Sequence, residues 1–418
     1  MFNHGTGVPT LKLRERLSGP GGVNFRLVFT STTISGLGDG VATIALAFAV
    51  LDISDSPAAL GAVIAARQVA AAGITILAGV WADRLPRHLV LVAAAAVQAI
   101  TQATSGALVL TGEATVPVLA ALALVFGLAD GFVIPASQGL IPTIVASARL
   151  QQANALLGLT RSVVSVAGPA LGGVMVAVGS PGGALLVDAG SFATAALLLV
   201  RVRMPAVAAA AAAPPFFHEL REGWTEFRRH TWLWTTIVFF GIGNLAGASY
   251  YVLGPLLAKQ HLGGAAAWAT IMSAFGVGTI IGGLIALRIR PRRPLLASCL
   301  AAIPFGMPML AIALELPLPI LVGVSTIAGV GIAIHLALWF TVFQQQVPKA
   351  ALSRVSSYDA LGSFVLLPLG SAAAGPVASV IGIPQTLIAA SAISLICIAI
   401  VIAQPSVWAI RAVPTDAV

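Results

Sequence analysis

GVWADRLPRH, residues 79–88, breaks a long apolar run with Asp83, Arg84, Arg87 and His88 set around a proline. Only 9% of the chain is charged, so four polar side chains in ten positions mark a boundary. On either side the sequence returns to windows of some 18 to 25 apolar residues, the length a helix needs to cross a hydrocarbon core of about 30 Å. The stretch therefore reads as a loop between two membrane-spanning helices, and the rest of the chain repeats that alternation. At 58% hydrophobic, with a mean hydropathy of +0.99 over 418 residues, the chain is too apolar for a water-soluble fold. Its runs are continuous rather than alternating, which excludes a β-barrel. The 43 glycines suit helices that approach closely in lipid.

Twelve spans follow, at roughly 24–52, 57–81, 88–110, 115–139, 153–178, 183–203, 231–258, 265–289, 294–314, 318–345, 356–381 and 384–404. Residues 1–23 and 405–418 are read as tails. Placing both termini in the cytoplasm puts Arg84, Arg87, Arg149, Arg201, Arg228, Arg290, Arg354 and their neighbours inside, with only Lys259 outside. That asymmetry follows the positive-inside rule and predicts a multi-pass protein of the cell membrane. The net charge of +8 belongs to these loops, so nucleic acid is not an expected partner. Cys299 and Cys397 lie within apolar runs and read as small buried residues, with no metal or other cofactor implied.

Between spans six and seven lies AVAAAAAAPPFFHELREGWTEFRRH, residues 206–230. An Ala/Pro linker leads into a segment whose Phe216, Phe217, Leu220, Trp224 and Phe227 share one helical face, opposite charged residues. This reads as an interfacial amphipathic helix within a cytoplasmic linker, 204–230, or else as a loosely ordered connection. The linker separates six-span halves at 24–203 and 231–404, and the halves repeat at an offset of 205 to 207 residues. LPR at 85–87 recurs as RPR at 290–292, Gln138 and Pro142 as Gln344 and Pro348, Gly168-Pro169 as Gly375-Pro376, and Asp39 falls on Asn244. A duplicated all-α transporter, with its site near the midplane where the repeats meet, is the expectation.

Two six-helix halves, a central linker and a basic loop after span two resemble the major facilitator superfamily. That family carries G-x-x-x-D-R-x-x-R-R between helices two and three; Gly79, Asp83, Arg84 and Arg87 match it, while His88 stands in the last Arg position. GPALGG at 168–173 resembles the superfamily's antiporter motif through Gly168, Pro169, Gly172 and Gly173. IPTIVASARLQQANALLG (141–158) and GDGVATIALAFAVL (38–51) look most like the branch of macrolide-efflux proteins and enterobactin exporters. The resemblance implies a gate in which Asp83 meets the start of span eleven near Arg354 to Ser357, where helix N–H groups favour an anion. Arg84 and Arg87 would orient that acid, and Asp359 could join it. It also implies that the glycines of span five pack against span eight. A purely charge-anchoring loop and ordinary glycine packing are the plainer alternatives.

Charges at bilayer depth are costly and normally paired or functional. Asp39 and Arg67 each lie about 21 Å from the cytoplasmic end of their helices, counting ~1.5 Å per residue, so they are expected to pair. Asp130 and Arg161, about 12 to 15 Å deep by the same rise, are expected to form a second pair. Either pair can be a permanent structural neutralisation. The functional alternative is proton coupling, in which the acid's proton affinity changes as rocking separates it from the arginine. Asp188 is placed at the partly hydrated outer end of span six, and His335 is a weaker candidate.

By analogy with the superfamily, Phe126, Phe132, Asn244, Tyr250, Tyr251, Trp339 and Gln344 are expected to line the substrate cavity. Such a lining suits a hydrophobic or amphipathic small molecule better than a sugar or an inorganic ion. The expectation is a proton-coupled exporter acting as a monomer, with a nutrient symporter on the same fold as the alternative. No P-loop, HExxH or His/Cys cluster supports an enzyme or an ATP-driven pump.

Overall fold

The computed structural model describes residues 22–82, 86–146, 149–203, 224–225, 227–348 and 352–412. Twelve helices in it are long and apolar enough to cross a membrane. Spans one to six are Gly22–Ile53, Pro57–Ala82, Arg87–Thr111, Val116–Ile144, Leu150–Val178 and Pro181–Val200. Spans seven, eight, ten and twelve are Thr231–His261, Ala265–Ala286, Leu318–Gln346 and Ile383–Ile402.

Two spans expected to be continuous are built in pieces. Span nine runs as Pro294–Ala302, a 3₁₀ turn at Ile303–Gly306, and Met307–Ala313. Pro304 and Pro308 lack the N–H that an α-helix needs, so the tighter turn takes over between them. Span eleven consists of Leu352–Phe364 and Leu367–Ile381, with Pro368 entering the first turn of the second piece, where its missing donor costs nothing. Beyond span twelve a short helix, Pro405–Ala409, buries Val407 completely, and Trp408 donates to the Ile402 carbonyl at 2.6 Å.

Helix neighbours repeat between the halves. Span one packs on five and six, two on four, and three on four and six; span seven packs on eleven and twelve, eight on ten, and nine on ten and twelve. The halves meet along two equivalent seams, span five on span eight and span eleven on span two. In lipid, apolar burial gives little drive for such contacts, and close packing with interhelical hydrogen bonds replaces it. A side chain added at Gly40 or Gly168 would run into the other's Cα at 2.8 Å, so spans one and five touch backbone to backbone. On the seams, Ser273 donates to the Val166 carbonyl at 2.9 Å, and Ser371 donates to Gln68 Oε1 at 2.9 Å.

At the end of the bundle that carries Ile53 and His261 the halves are sealed. Ile44, Leu51 and Leu60 of the first half share one buried cluster with Leu253, Leu256, Trp268, Ala374 and Leu387 of the second. Above it Lys259 Nζ reaches Asp52 at 3.0 Å, Asp55 at 3.1 Å and the Leu51 carbonyl at 2.7 Å. Of the linker, Phe227 stacks on both Trp224 and Tyr358, and Trp224 meets Tyr358 at a tilt, each pair of ring centres 5.6 Å apart. The rest of its expected apolar face, Phe216, Phe217 and Leu220, lies outside the described residues.

Gly168→Ala should destabilise the protein by about 1–3 kcal/mol, the range for overpacking a closed contact. Gly158→Ala, in the same helix but facing open space, should be neutral or stabilise by about 0.5–1 kcal/mol. Thermal melts of the two purified variants test the contrast; equal melting temperatures would show that the backbone contact does not constrain the fold.

Candidate functional site

The polar centre is assembled from spans one, two, three, four and six. Gly127 of span four lies so close to the Arg67 carbonyl that a side chain there would overlap it, and this approach sets Arg67 against span four. Phe126 and Asp130, one helical turn apart, both reach the guanidinium. Its Cζ sits 4.3 Å from the Phe126 ring centre, and Phe192 meets that ring edge-on at 5.5 Å. Arg67 Nη2 donates to Asp39 Oδ1 at 2.9 Å and to Asp130 Oδ2 at 3.5 Å. Gln98 of span three donates to Asp130 Oδ1 at 3.4 Å. One helical turn further on, Gln102 donates to Asp188 Oδ2 at 2.6 Å.

The expected Asp39–Arg67 pair is therefore present, but the Asp130–Arg161 pair is not. Asp130 shares Arg67 instead, and Arg161 is exposed on span five, which packs on spans one and eight rather than on span four. Equal depth does not make consecutive spans neighbours. Asp188 also departs from expectation: it has no solvent exposure at all, and Gln102 and Ser191 both bond to its carboxyl.

Beside these carboxylates lies a cavity of about 210 Å³. Asp39, Gln98 and Asp130 border it, Ser31, Thr32, Ser35 and Ser137 add hydroxyls, and Leu91, Val133, Phe192 and Leu199 supply apolar surface. All belong to the first half, and none of the seven expected lining residues is among them. Phe126 is buried beneath Arg67. Tyr250 is buried against Trp268, ring centres 5.1 Å apart. Trp339 is buried beside Trp232 and donates from Nε1 to Asp359 at 3.3 Å. Asn244 ties span seven to span eleven by donating to the Ser363 carbonyl at 3.0 Å. Tyr251 is 44% exposed, Gln344 is exposed and Phe132 half-buried, all away from this cavity. Tyr250 and Tyr251 instead border a separate small pocket of the second half, with Met272, Phe305 and Ser325.

The motif residues divide similarly. Gly168 and Gly172 face span one, at Gly40 and Val41, and only Gly173 faces span eight, against Ala265 and Ala269. Pro169 lies within span five. Gly79 falls in the last turn of span two and Arg87 opens span three, whereas Asp83 and Arg84 lie outside the described residues. Asp359 is engaged by Trp339 and by Ser363, the latter at 3.5 Å. His335 is buried, stacked on Phe240 at 4.6 Å and bonded to Ser298, which makes it a packing residue. Gln98 and Gln102 were passed over in the sequence; their i, i+4 spacing in an apolar helix is the signal that marks them.

Twelve spans in two related halves around a charge-paired centre define a membrane transporter. The sequence model of the Major Facilitator Superfamily matches residues 28–370, and the chain belongs to that superfamily. Among curated relatives it is 30% identical over 381 residues to the enterobactin exporter EntS of Citrobacter koseri, covering 85% of this chain and 87% of that protein. The multidrug efflux pump Tap of Mycolicibacterium fortuitum is 24% identical over 379 residues, 87% of this chain and 91% of that one. Among solved structures, a bacterial homologue of the human lysosomal transporter Spinster superposes with a TM-score of 0.72 at 15% identity, covering 94% of this chain and 98% of that one. The nucleoside transporter NupG gives 0.70 at 15% identity, covering 93% and 100%. These two likenesses show the fold. The chain is thus a multi-pass membrane transporter for a small molecule, related to exporters, and not an enzyme.

Arg67→Gln should lower thermal stability by leaving two carboxylates without their cation. In the Asp39→Asn/Arg67→Gln double variant the losses should fail to add, with a coupling of about 0.5–3 kcal/mol. Additive losses in that cycle would mean the pair contributes nothing as a pair.

Proposed function

We propose that the protein exports a hydrophobic or amphipathic small molecule in exchange for protons, by alternating access. The observation that carries this reading is the position of Asp39 and Asp130: both share Arg67, and both border the cavity of about 210 Å³. A proton that neutralises one carboxylate weakens its hold on Arg67 and changes the field in the cavity, so proton and substrate compete through the same groups. The hydroxyl and apolar lining suits a molecule with a polar end and an apolar body. The two curated relatives named above, an exporter and an efflux pump, support export over uptake.

In this reading the termini, the linker at 204–230 and the basic loops face the cytoplasm. The sealed end then faces outward and the conformation is inward-facing. Asp83, Arg84 and Arg87 form the cytoplasmic latch towards the start of span eleven, which must close as the Lys259 cluster opens. One chain suffices, since both seams lie within it.

Efflux of ethidium from cells expressing the protein tests the reading. Wild-type protein should lower ethidium accumulation, and a protonophore should restore it. Asp39→Asn should reach the membrane yet lose gradient-driven efflux to background. Unchanged active efflux by that variant would remove Asp39 from the coupling, and raised accumulation with wild-type protein would replace export by symport.

A further inference from the structure

The connection between spans eight and nine reads LRIRPRRP, residues 287–294, with Arg288, Arg290, Arg292 and Arg293 and no acid among them. Its first-half counterpart holds Asp83 among its bases, whereas this copy holds bases alone. All four arginines are exposed. The loop is stiff, because Pro291 and Pro294 fix their own φ and keep the residues before them extended, as Arg293 is.

The C-terminal segment is clamped onto this loop. Val407 and Ile410 are buried, Trp408 is held to the Ile402 carbonyl at 2.6 Å, and the Arg293 guanidinium carbon lies 5.2 Å from the Trp408 ring centre. The Ala412 N–H then donates to the Arg292 carbonyl at 3.0 Å, which brings the backbone of Arg411, also exposed, alongside the loop. Among the described residues, none of these five arginines has an acidic partner. Like charges gathered without a counter-ion repel one another, so the arrangement gains from an anion. The positive-inside rule asks for bases in such a loop, but not for a second segment that adds Arg411 to them.

We propose that this patch binds the headgroup phosphate of an acidic phospholipid. Guanidinium groups match phosphate oxygens in shape as well as charge. The patch sits at the ends of two membrane spans, and Leu284, Leu287 and Trp408 beside it are exposed apolar surface. A ligand with acyl chains uses that surface, and a free phosphate ion does not; tryptophan is at home at headgroup depth. A bound phosphate would tie the C-terminal segment to the loop. None of these residues borders the cavity of the first half, so the inference stands whether or not protons drive transport.

Melting of the purified full-length protein in a neutral detergent tests it, with dioctanoyl phosphatidylglycerol, dioctanoyl phosphatidylcholine or inorganic phosphate added. Phosphatidylglycerol should raise the melting temperature saturably, and the other two should not. Equal shifts with the two lipids, or a shift with inorganic phosphate as large as that with phosphatidylglycerol, would overturn the proposal. Arg411→Gln should weaken the phosphatidylglycerol midpoint about fivefold, and Arg292→Gln/Arg411→Gln more than about tenfold. Arg201→Gln/Arg203→Gln, which removes the same charge at the end of span six, should leave it within about twofold. Equal weakening by the two double variants would reduce the patch to diffuse net charge and refute the site. Should Arg292→Gln/Arg411→Gln fail to fold, Arg411→Gln alone decides, since an unmoved midpoint there is equally fatal.

Discussion

Asp39, Asp130 and Phe126 of the first half are organised around one guanidinium. Arg67 has two carboxylates on its edge and an aromatic ring against its face. Each of these contacts is stronger out of bulk water than in it, and each loses its counterpart if another moves. Spans one, two and four are thereby locked in register at mid-depth, and Gln98 extends the lock to span three. Because the two acids share one base, the centre is left short of positive charge. In the exchange proposed above, that shortage is what a proton or a cationic end of a ligand would make good.

Around this centre close glycine contacts recur both within and between the halves. Within the first half Gly40 meets Gly168, and on the seams Gly375 meets Ala58 and Gly173 meets Ala269, leaving almost no side chain between the helices. Between the halves the seams carry a few hydrogen bonds, and the sealed end carries an apolar cluster topped by Lys259. Ion pairs at an aqueous end contribute little each, so the seal depends mainly on the packed leucines and Trp268.

The spans, their number and the duplication were legible because lipid imposes a length and a composition that few residues can evade. GVWADRLPRH marked one boundary, and the offset of about 205 residues joined it to its counterpart. Asp39 and Arg67 could be paired from depth, since these two spans both supply the centre. The same argument failed for Arg161 because depth says nothing of which helices touch. The aromatic residues divide: Phe126 and Trp339 are packed between helices, while Tyr250 and Tyr251 border a small pocket of the second half with Met272 and Phe305, and sequence does not show which face is lined. Asp188 was expected to be partly hydrated, but spans one and three close over it through Gly38 and Gln102, a burial that no single helix reveals.

The duplicated halves are not equal in charge. Where the first half has Asp39 the second has Asn244, tied to the Ser363 carbonyl. His335 is packed with Ser298, and Lys259 lies at the sealed end. The ionisable cluster at mid-depth thus belongs to one body, while its twin supplies shape. A membrane voltage acts on charge, with about 2.3 kcal/mol per elementary charge for each 100 mV crossed. In the exchange proposed above, the electrical work on a proton bound beside Arg67 would fall on the first half, and the two seams would couple the second half to it.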